Sequence, residues 1–198
     1  NGNAHVEDVV INISGKIFEM TLQGVLNETS TMYAAKINMS YYDSAGNYSV
    51  NLTVIDKSDF SISEIASFEF TSLVSIELDT SSLQFAAMPG MSSELIGDEN
   101  MTNTNLTLQN TGNSALNMEL SGTNLTNNKG SIDVSNIQYT FNGDYNNSLA
   151  GTLSYSKQTK ELDIEAAAIL PLSFKLNIPS ATAAGNYTGT IMLIAVKS

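Results

Sequence analysis

The residues in this sequence best suited to chemistry are asparagines that stand two positions before a serine or threonine. Ten such triplets occur, and Asn-x-Ser/Thr is the acceptor pattern for N-linked glycans. We expect covalent N-glycans at several of them, and therefore an extracellular chain at the cell surface. The ten candidate glycosylation sites are Asn12, Asn27, Asn38, Asn47, Asn51, Asn100, Asn105, Asn124, Asn146 and Asn186.

The same spacing can arise without glycosylation. In a β-strand the first and third residues share one face while the middle residue points to the other, and eight of the ten middle residues are apolar. The sequons could therefore be by-products of strands whose outer face is Asn, Ser and Thr. The low charged fraction of 14% favours glycans, because ordinary soluble surfaces rely on charged side chains for solubility.

Other chemistry has little to build on. The chain has one histidine, His5, and no cysteine, which excludes His-based triads and Cys-zinc or thiol sites. We expect no enzyme activity and no cofactor. Calcium has two weak candidate ligands, Asp56 and Asp59 in the turn DKSD, but no complete acidic calcium loop surrounds them.

The charge balance argues against a nucleic-acid partner. The formal net charge is −12, and all eight basic residues are lysine, whereas phosphate binding needs a basic patch. The longest aliphatic run is Ile191–Val196, far short of the roughly 20 residues that span a bilayer. We therefore expect no direct membrane span.

Apolar residues alternate with polar ones, which is typical of half-buried strands. Tyr48, Val50, Leu52 and Val54 alternate with Asn, Ser and Thr, and the run Leu172–Ile178 shows the same pattern. The sequence predicts an all-β chain of two tandem immunoglobulin-like β-sandwich domains. Only Thr159–Leu170 could hold a helical turn or two. Further predicted strands include Val6–Ser14, Lys16–Leu26, Met32–Tyr42, Ala66–Leu78 and Ala115–Ser121.

The corner Ala-Gly-Asn-Tyr-Ser/Thr occurs twice, at Ala45–Ser49 and Ala184–Thr188. A tyrosine here can bury its ring while its hydroxyl reaches back to the backbone, as in tyrosine-corner sandwiches. One corner per sandwich is usual, so two corners predict two domains. We place them at residues 1–72 and 73–198, with residues 1–14 of the first as a possible donor strand.

Two stretches resemble known extracellular modules. Asn105–Thr126 and Phe174–Leu193, with an NTGN turn and an AGNYTGTI ending, are similar to β-sandwich modules of archaeal secreted surface glycoproteins of the filament or surface-layer kind. Met39–Asp56 looks like the strand pair of immunoglobulin-like or PKD-like modules. The resemblance implies a structural role in surface layers, adhesive modules or filaments, without catalytic residues.

These features predict a homopolymer of identical subunits in the form of a pilus- or thread-like filament or a surface layer. Host-surface or cell–cell contacts are a further candidate class of partner. No anchoring segment follows Ser198, so we expect neighbours to hold the subunit. The expected contact is addition of an N-terminal strand to the next subunit's sheet. The alternative is a monomeric adhesion or carbohydrate-binding module. The predicted inter-subunit residues are Val6, Val9, Val10, Ile11 and Ile13.

Overall fold

The computed structural model describes residues 5–102 and 105–198. The described chain is almost entirely β, which confirms the predicted all-β sandwich class. It divides into two compact units, unit 1 (Asn1–Ser72) and unit 2 (Leu73–Ser198). None of the helical structure in the described residues has the length and hydropathy needed to cross a membrane.

Unit 1 contains one four-stranded antiparallel sheet and one hairpin. The sheet has the strand order β2-β1-β5-β6, and β3 pairs with β4. The strands are β1 (Val6–Ile13), β2 (Lys16–Glu19), β3 (Thr21–Asn27), β4 (Ser30–Ala34), β5 (Gly46–Asp56) and β6 (Ser61–Phe70). The predicted strand Met32–Tyr42 is therefore too long, because the pairing with β3 ends at Ala34.

Unit 2 is larger and has four small sheets, with strand orders β14-β13-β17-β8, β15-β10-β18, β16-β9-β7 and β11-β12. Its strands are β7 (Ile76–Leu78), β8 (Ser92–Leu95), β9 (Thr107–Asn110), β10 (Leu116–Gly122), β11 (Leu125–Asn127), β12 (Gly130–Ile132), β13 (Ile137–Thr140), β14 (Ala150–Thr152), β15 (Gln158–Ile164), β16 (Ile169–Pro171), β17 (Ser173–Asn177) and β18 (Ile191–Lys197).

The helical turn that the sequence allows within Thr159–Leu170 does not form. This segment supplies β15, which pairs with β10, and β16, which pairs with β9. Ile164 is buried while Asp163 and Glu165 beside it are exposed. Burial against these partner strands outweighs the helix propensity of the local sequence.

Unit 2 encloses one hydrophobic cluster. Leu108, Leu116, Met118, Tyr139 and Phe174 are completely buried at its centre. The predicted NTGN turn follows β9, and the buried Asn110 organises it. The Asn110 amide donates to the carbonyls of Ser114 and Ile164 at 2.9 and 2.8 Å. Its Oδ1 accepts from the Gly112 backbone N–H at 2.8 Å, so this buried polar group is fully used.

The repeated corner behaves as predicted in both units. The Tyr48 hydroxyl donates to the Ser44 carbonyl at 2.7 Å, and the Tyr187 hydroxyl donates to the Ala183 carbonyl at 2.9 Å. In each case the acceptor lies four residues earlier in the chain. Both rings are half-buried, and the Tyr48 ring stacks on Phe68 with centroids 5.4 Å apart.

Candidate assembly surface and glycosylation sites

The ten sequon asparagines all lie at or near the surface. Eight are exposed, and Asn12 and Asn124 are half-buried. A glycan needs an accessible asparagine amide, so burial rules out none of the ten. Their occupancy stays a prediction.

One site differs from the others in its contacts. The attachment atom of Asn105, Nδ2, donates to Asp98 Oδ2 at 2.8 Å. The sequon hydroxyl of Thr107, which is completely buried, lies 2.9 Å from Asp98 Oδ1. Hydrogen bonds from the Asn105 side chain, the Asn100 backbone and the Thr107 hydroxyl hold the pKa of Asp98 below its usual value. A glycan on Asn105 would replace one of the two hydrogens of this amide and would compete with Asp98 for the space around Nδ2.

Unit 1 has five sequons, of which three lie on the inner strands of the sheet, and the other two, at Asn27 and Asn38, lie outside the sheet. Asn12 on β1 lies directly opposite Asn51 on β5, and Asn47 shares the face of Asn51 because strand side chains alternate. On the same face the Thr53 and Ser63 hydroxyls are 2.8 Å apart. The two edge strands, β2 and β6, carry no sequon. Glycans here would cover the outer face of the sheet and leave both edges open.

The predicted inter-subunit strand corresponds to β1. Residues 1–4 of the proposed donor segment, 1–14, lie outside the described residues. Within this chain β1 is an inner strand, paired with β2 on one side and β5 on the other. Val9, Ile11 and Ile13 are buried, with 7%, 8% and 5% of their surface exposed. In the single chain, β1 thus completes its own sheet.

Unit 1 leaves much of its apolar surface uncovered. Among the described residues, ten large apolar side chains of this unit are exposed, while Val9, Ile11 and Ile13 are its buried hydrophobic residues. This ratio of exposed to buried apolar side chains makes unit 1 a candidate for contacts with a partner. The ten are Ile17, Leu22, Val25, Leu26, Met32, Tyr41, Tyr42, Phe60, Ile62 and Ile65.

The edge strand β6 is the most open element. It is ten residues long, pairs only with β5 among the described strands, and contains neither lysine nor proline. Ile62 and Ile65 are 68% and 72% exposed. A long edge strand with exposed apolar side chains is a template for pairing with another chain.

Sequence reasoning missed Ile62 and Ile65, although a signal was present. They are three residues apart, so they point to opposite faces of a strand. In a strand with one buried face, one of the two must then be exposed. The run SISEIASFEF thus carries apolar residues on both faces. This pattern is typical of a strand that is contacted on both faces.

Two cavities lie in unit 1. The larger, of about 470 Å³, lies between the sheet and the β3–β4 hairpin and is lined by Val9, Leu52, Val54, Thr31 and Tyr33 among others. The hairpin therefore covers the inner sheet face incompletely.

The second cavity, of about 280 Å³, is lined in part by Tyr42 and Tyr48. Tyr41 and Tyr42 are 51% and 52% exposed and meet edge to face with centroids 5.2 Å apart. An exposed aromatic pair beside a cavity can stack on an apolar or sugar-like ligand.

The weak calcium candidates form an ordinary turn. Asp56 Oδ1 accepts from the backbone N–H groups of Ser58 and Phe60 at 2.8 and 3.0 Å, and the Asp59 backbone donates to the Asp56 carbonyl at 3.0 Å. In the described part of the chain, no three His, Asp or Glu side chains come together as a metal site. Calcium at Asp56 and Asp59 stays untested.

Comparison with known proteins gives few matches. No family of known proteins matches the sequence, and no curated protein matches it. One similar solved structure comes from work on a chaperone–tip adhesin complex in CFA/I fimbriae biogenesis. It shares 9% identity over 98% of this chain and 73% of that chain, with a TM-score of 0.43.

A second similar structure comes from work on carbohydrate-binding modules of the β-sandwich superfamily. It shares 12% identity over 96% of this chain and 83% of that chain, with a TM-score of 0.22. Similarity at this level carries no functional argument. The resemblance to archaeal surface glycoproteins therefore stays a prediction.

Proposed function

We propose that this chain is a non-catalytic extracellular structural subunit, N-glycosylated, that self-assembles into a cell-surface filament or layer. The observation that carries the proposal is the exposed edge of the four-stranded sheet in unit 1. Its inner strands are the ones with glycan acceptors, and its edge strand β6 exposes Ile62 and Ile65. Self-association would bury this apolar surface and satisfy the unpaired backbone groups of the edge.

Imaging and mass measurement test this proposal on the same sample. Negative-stain microscopy of the natively secreted, undenatured protein should show filaments or sheets. Intact mass should exceed the 21.2 kDa polypeptide by several glycans. Dispersed particles at the bare polypeptide mass would contradict both assembly and glycosylation.

Site-by-site substitution sharpens the glycan part. Asn51→Gln should remove one glycan from the intact mass, because Asn51 is exposed on the outer sheet face. Asn105→Gln should remove none, because the Asn105 amide is held by Asp98 in the folded chain. Equal losses at both sites would show that acceptor choice is made before this loop folds.

The predicted contact, N-terminal strand addition, requires β1 to leave its own sheet. Asp8 on β1 lies opposite Ile55 on β5, and the chain has no other cysteine. The double variant Asp8→Cys/Ile55→Cys therefore reports directly where β1 lies. If β1 adds to the next subunit, oxidised polymers run as a covalent ladder on a non-reducing gel.

If β1 stays in its own sheet, the same oxidised variant runs as a monomer and strand addition is wrong. The matched control is Ile55→Cys/Ser61→Cys, a facing pair on β5 and β6. This pair should form an intramolecular bond whichever sheet β1 occupies.

The second candidate function is a monomeric adhesion or carbohydrate-binding module. The exposed pair Tyr41 and Tyr42 beside the smaller cavity favours it. Tyr41→Ala/Tyr42→Ala should then abolish binding to a glycan array that the wild-type chain binds, while Tyr155→Ala, an exposed tyrosine of unit 2, should leave binding unchanged. No binding by the wild-type chain would exclude this candidate.

A further inference from the structure

The four-stranded sheet of unit 1 has two edges that fit each other. Each neighbouring pair in the order β2-β1-β5-β6 is antiparallel, so β2 and β6 run in opposite directions. If a second copy stands beside the first in the same orientation, its β2 is antiparallel to the first copy's β6. The antiparallel hydrogen-bond pattern can then continue from copy to copy.

One transverse row of the sheet shows the fit most clearly. Ile17 pairs with Asn12, Asn12 pairs with Asn51, and Asn51 pairs with Ile65. The row thus begins and ends with an isoleucine, 69% and 72% exposed. Continuing the row into a second copy would place Ile17 beside Ile65, so that the two apolar side chains contact each other.

Charge is complementary in the same register. Lys16 lies opposite the buried Ile13, and Glu64 lies opposite Leu52, the partner of the buried Ile11. Lys16 and Glu64 therefore project from the same face of the sheet. With Ile17 beside Ile65, Lys16 of one copy stands diagonally across from Glu64 of the other, within reach of an ion pair.

Charge also argues against pairing β6 with β6 of a second copy. The strand carries Glu64 and Glu69 and no basic residue, so two such strands would bring like charges together, which destabilises a strand pair. The edge β2 supplies the cation that β6 lacks. The edge strands β2 and β6 themselves contain no sequon.

We propose that copies of this chain add head to tail, with the β2 edge of one unit 1 paired antiparallel to the β6 edge of the next. The contact names the assembly interface of the function proposed above and rests on that function. A head-to-tail contact that does not close generates an open helical filament. Here β1 remains in its own sheet, in contrast to N-terminal strand addition.

The sheet geometry gives a measurable repeat. Four strands at about 4.8 Å each give a rise of about 19 Å per copy along the sheet. A twist of about −20 to −25° per strand gives a rotation of roughly 80–100° per copy. A helical reconstruction of the filament would measure both quantities.

Cysteine trapping tests the contact. Within one chain Ile17 and Ile65 are three strand spacings apart, about 14 Å, too far for a disulfide, which needs Cα atoms within about 7 Å. Oxidised polymers of the full-length variant Ile17→Cys/Ile65→Cys should therefore form a covalent ladder. The control Val25→Cys/Ile65→Cys, with an equally exposed residue on β3, should form none.

The outcomes separate this contact from the proposed function. If the variant Ile17→Cys/Ile65→Cys forms polymers but no covalent ladder, the edge contact is wrong, while the proposed self-assembly is still supported. A covalent dimer from Ile65→Cys alone would show β6–β6 pairing and overturn head-to-tail addition. A ladder from the Val25 control as well would mean unspecific collision and would also overturn it. No polymers from wild-type protein would overturn both proposals.

Charge exchange provides a second readout without cysteine. Lys16→Glu and Glu64→Lys, both at exposed positions, should each raise the critical concentration for assembly about two- to five-fold. The double variant Lys16→Glu/Glu64→Lys should restore it, because the pair is reversed. Additive loss in the double variant would contradict the contact between these two residues.

Discussion

Units 1 and 2 both consist of strands with alternating apolar and polar residues, and both contain a tyrosine corner. They differ in how many apolar side chains they bury. Among the described residues, unit 2 buries fifteen hydrophobic side chains in one cluster, and unit 1 buries three. Of the large exposed hydrophobic residues, ten belong to unit 1 and seven to unit 2. Unit 2 thus covers most of its apolar residues, whereas in unit 1 the edge strands β2 and β6 have no further partner among the described strands.

The difference has a simple structural origin. In unit 2, sheets from β9, β10, β13 and β17 surround one cluster, so most inward positions meet another sheet. In unit 1 a two-stranded hairpin has to cover a four-stranded sheet. The cover does not reach Ile62 on β6, which lies opposite Val54 on the inner face. A domain that leaves strong apolar contacts unused is suited to making them with a partner.

The largest expected effect comes from the core of unit 2. Phe174 is completely buried, so Phe174→Ala should cost about 3–5 kcal/mol of unfolding free energy. Ile65→Ala, at a 72% exposed position, should change the unassembled chain by less than about 0.5 kcal/mol. Denaturant unfolding of dilute, unassembled protein measures both. A large cost at Ile65 would mean that β6 is already covered in solution.

The next largest expected effect concerns the space around glycines in the two units. A Cβ at Gly112 in unit 2 would lie 2.2 Å from the Leu73 carbonyl oxygen, whereas a Cβ at Gly24 in unit 1 would meet nothing within 4 Å. Gly112→Ala should therefore destabilise the chain by about 1–3 kcal/mol. Gly24→Ala, the matched control, should stay within about 0.5 kcal/mol. Similar thermal melts for the two variants would contradict the contrast.

The tyrosine corners should behave alike in both units. Tyr48→Phe and Tyr187→Phe each remove one hydroxyl-to-carbonyl hydrogen bond and keep both sequons. Each should cost about 1 kcal/mol. Hydrogen exchange, followed on peptides from each unit, assigns each loss to its own unit. A loss in one unit only would show that the repeated corner is structural in just that unit.

The smallest expected effect is a pH dependence in unit 2. The pKa of Asp98 is lowered, first by the Asn105 side chain. Its charged form therefore stabilises the fold above the unfolded-state pKa of about 3.9. This contribution is lost as pH falls through the lower folded-state pKa.

Thermal melts between pH 7 and pH 2 measure this dependence. Asp98→Asn should be less stable than wild type at pH 7, and the difference should shrink below about pH 4, where the unfolded wild-type chain takes up a proton at Asp98 before the folded chain does. The control Glu99→Gln removes the neighbouring exposed carboxylate and should leave the wild-type profile. A constant difference between wild type and Asp98→Asn would show that the Asp98 charge is not involved.

Much of the fold could be predicted from local sequence. The alternation at Tyr48–Val54 and Leu172–Ile178 predicted strands that β5 and β17 supply, and the repeated corner predicted both tyrosine hydrogen bonds. The failures lie where a partner strand decides the outcome. At Thr159–Leu170 the local sequence allowed helix, and pairing with β10 and β9 made strands of it.

The candidate site was predictable in part. The sequence alone located all ten sequons, because the acceptor pattern is local. It could not show that the Asn105 amide is hydrogen-bonded to Asp98, seven residues away. Nor could it show that Asn12 on β1 lies opposite Asn51 on the neighbouring strand β5. Addition of β1 to a neighbouring subunit stays a prediction, because an apolar strand near the N-terminus looks the same in sequence whether it pairs inside or outside its own chain.

The sequence by itself determined the alternation, the corners, the sequons and the exclusion of thiol chemistry, since each depends on residue types and short spacings. Only the tertiary structure decided which strands became edges and which apolar residues stayed uncovered. Ile17 and Ile65 are far apart in the chain, and only the register of four paired strands places them at the two ends of one row. Strand order and register are set by long-range pairing, which local sequence patterns do not specify.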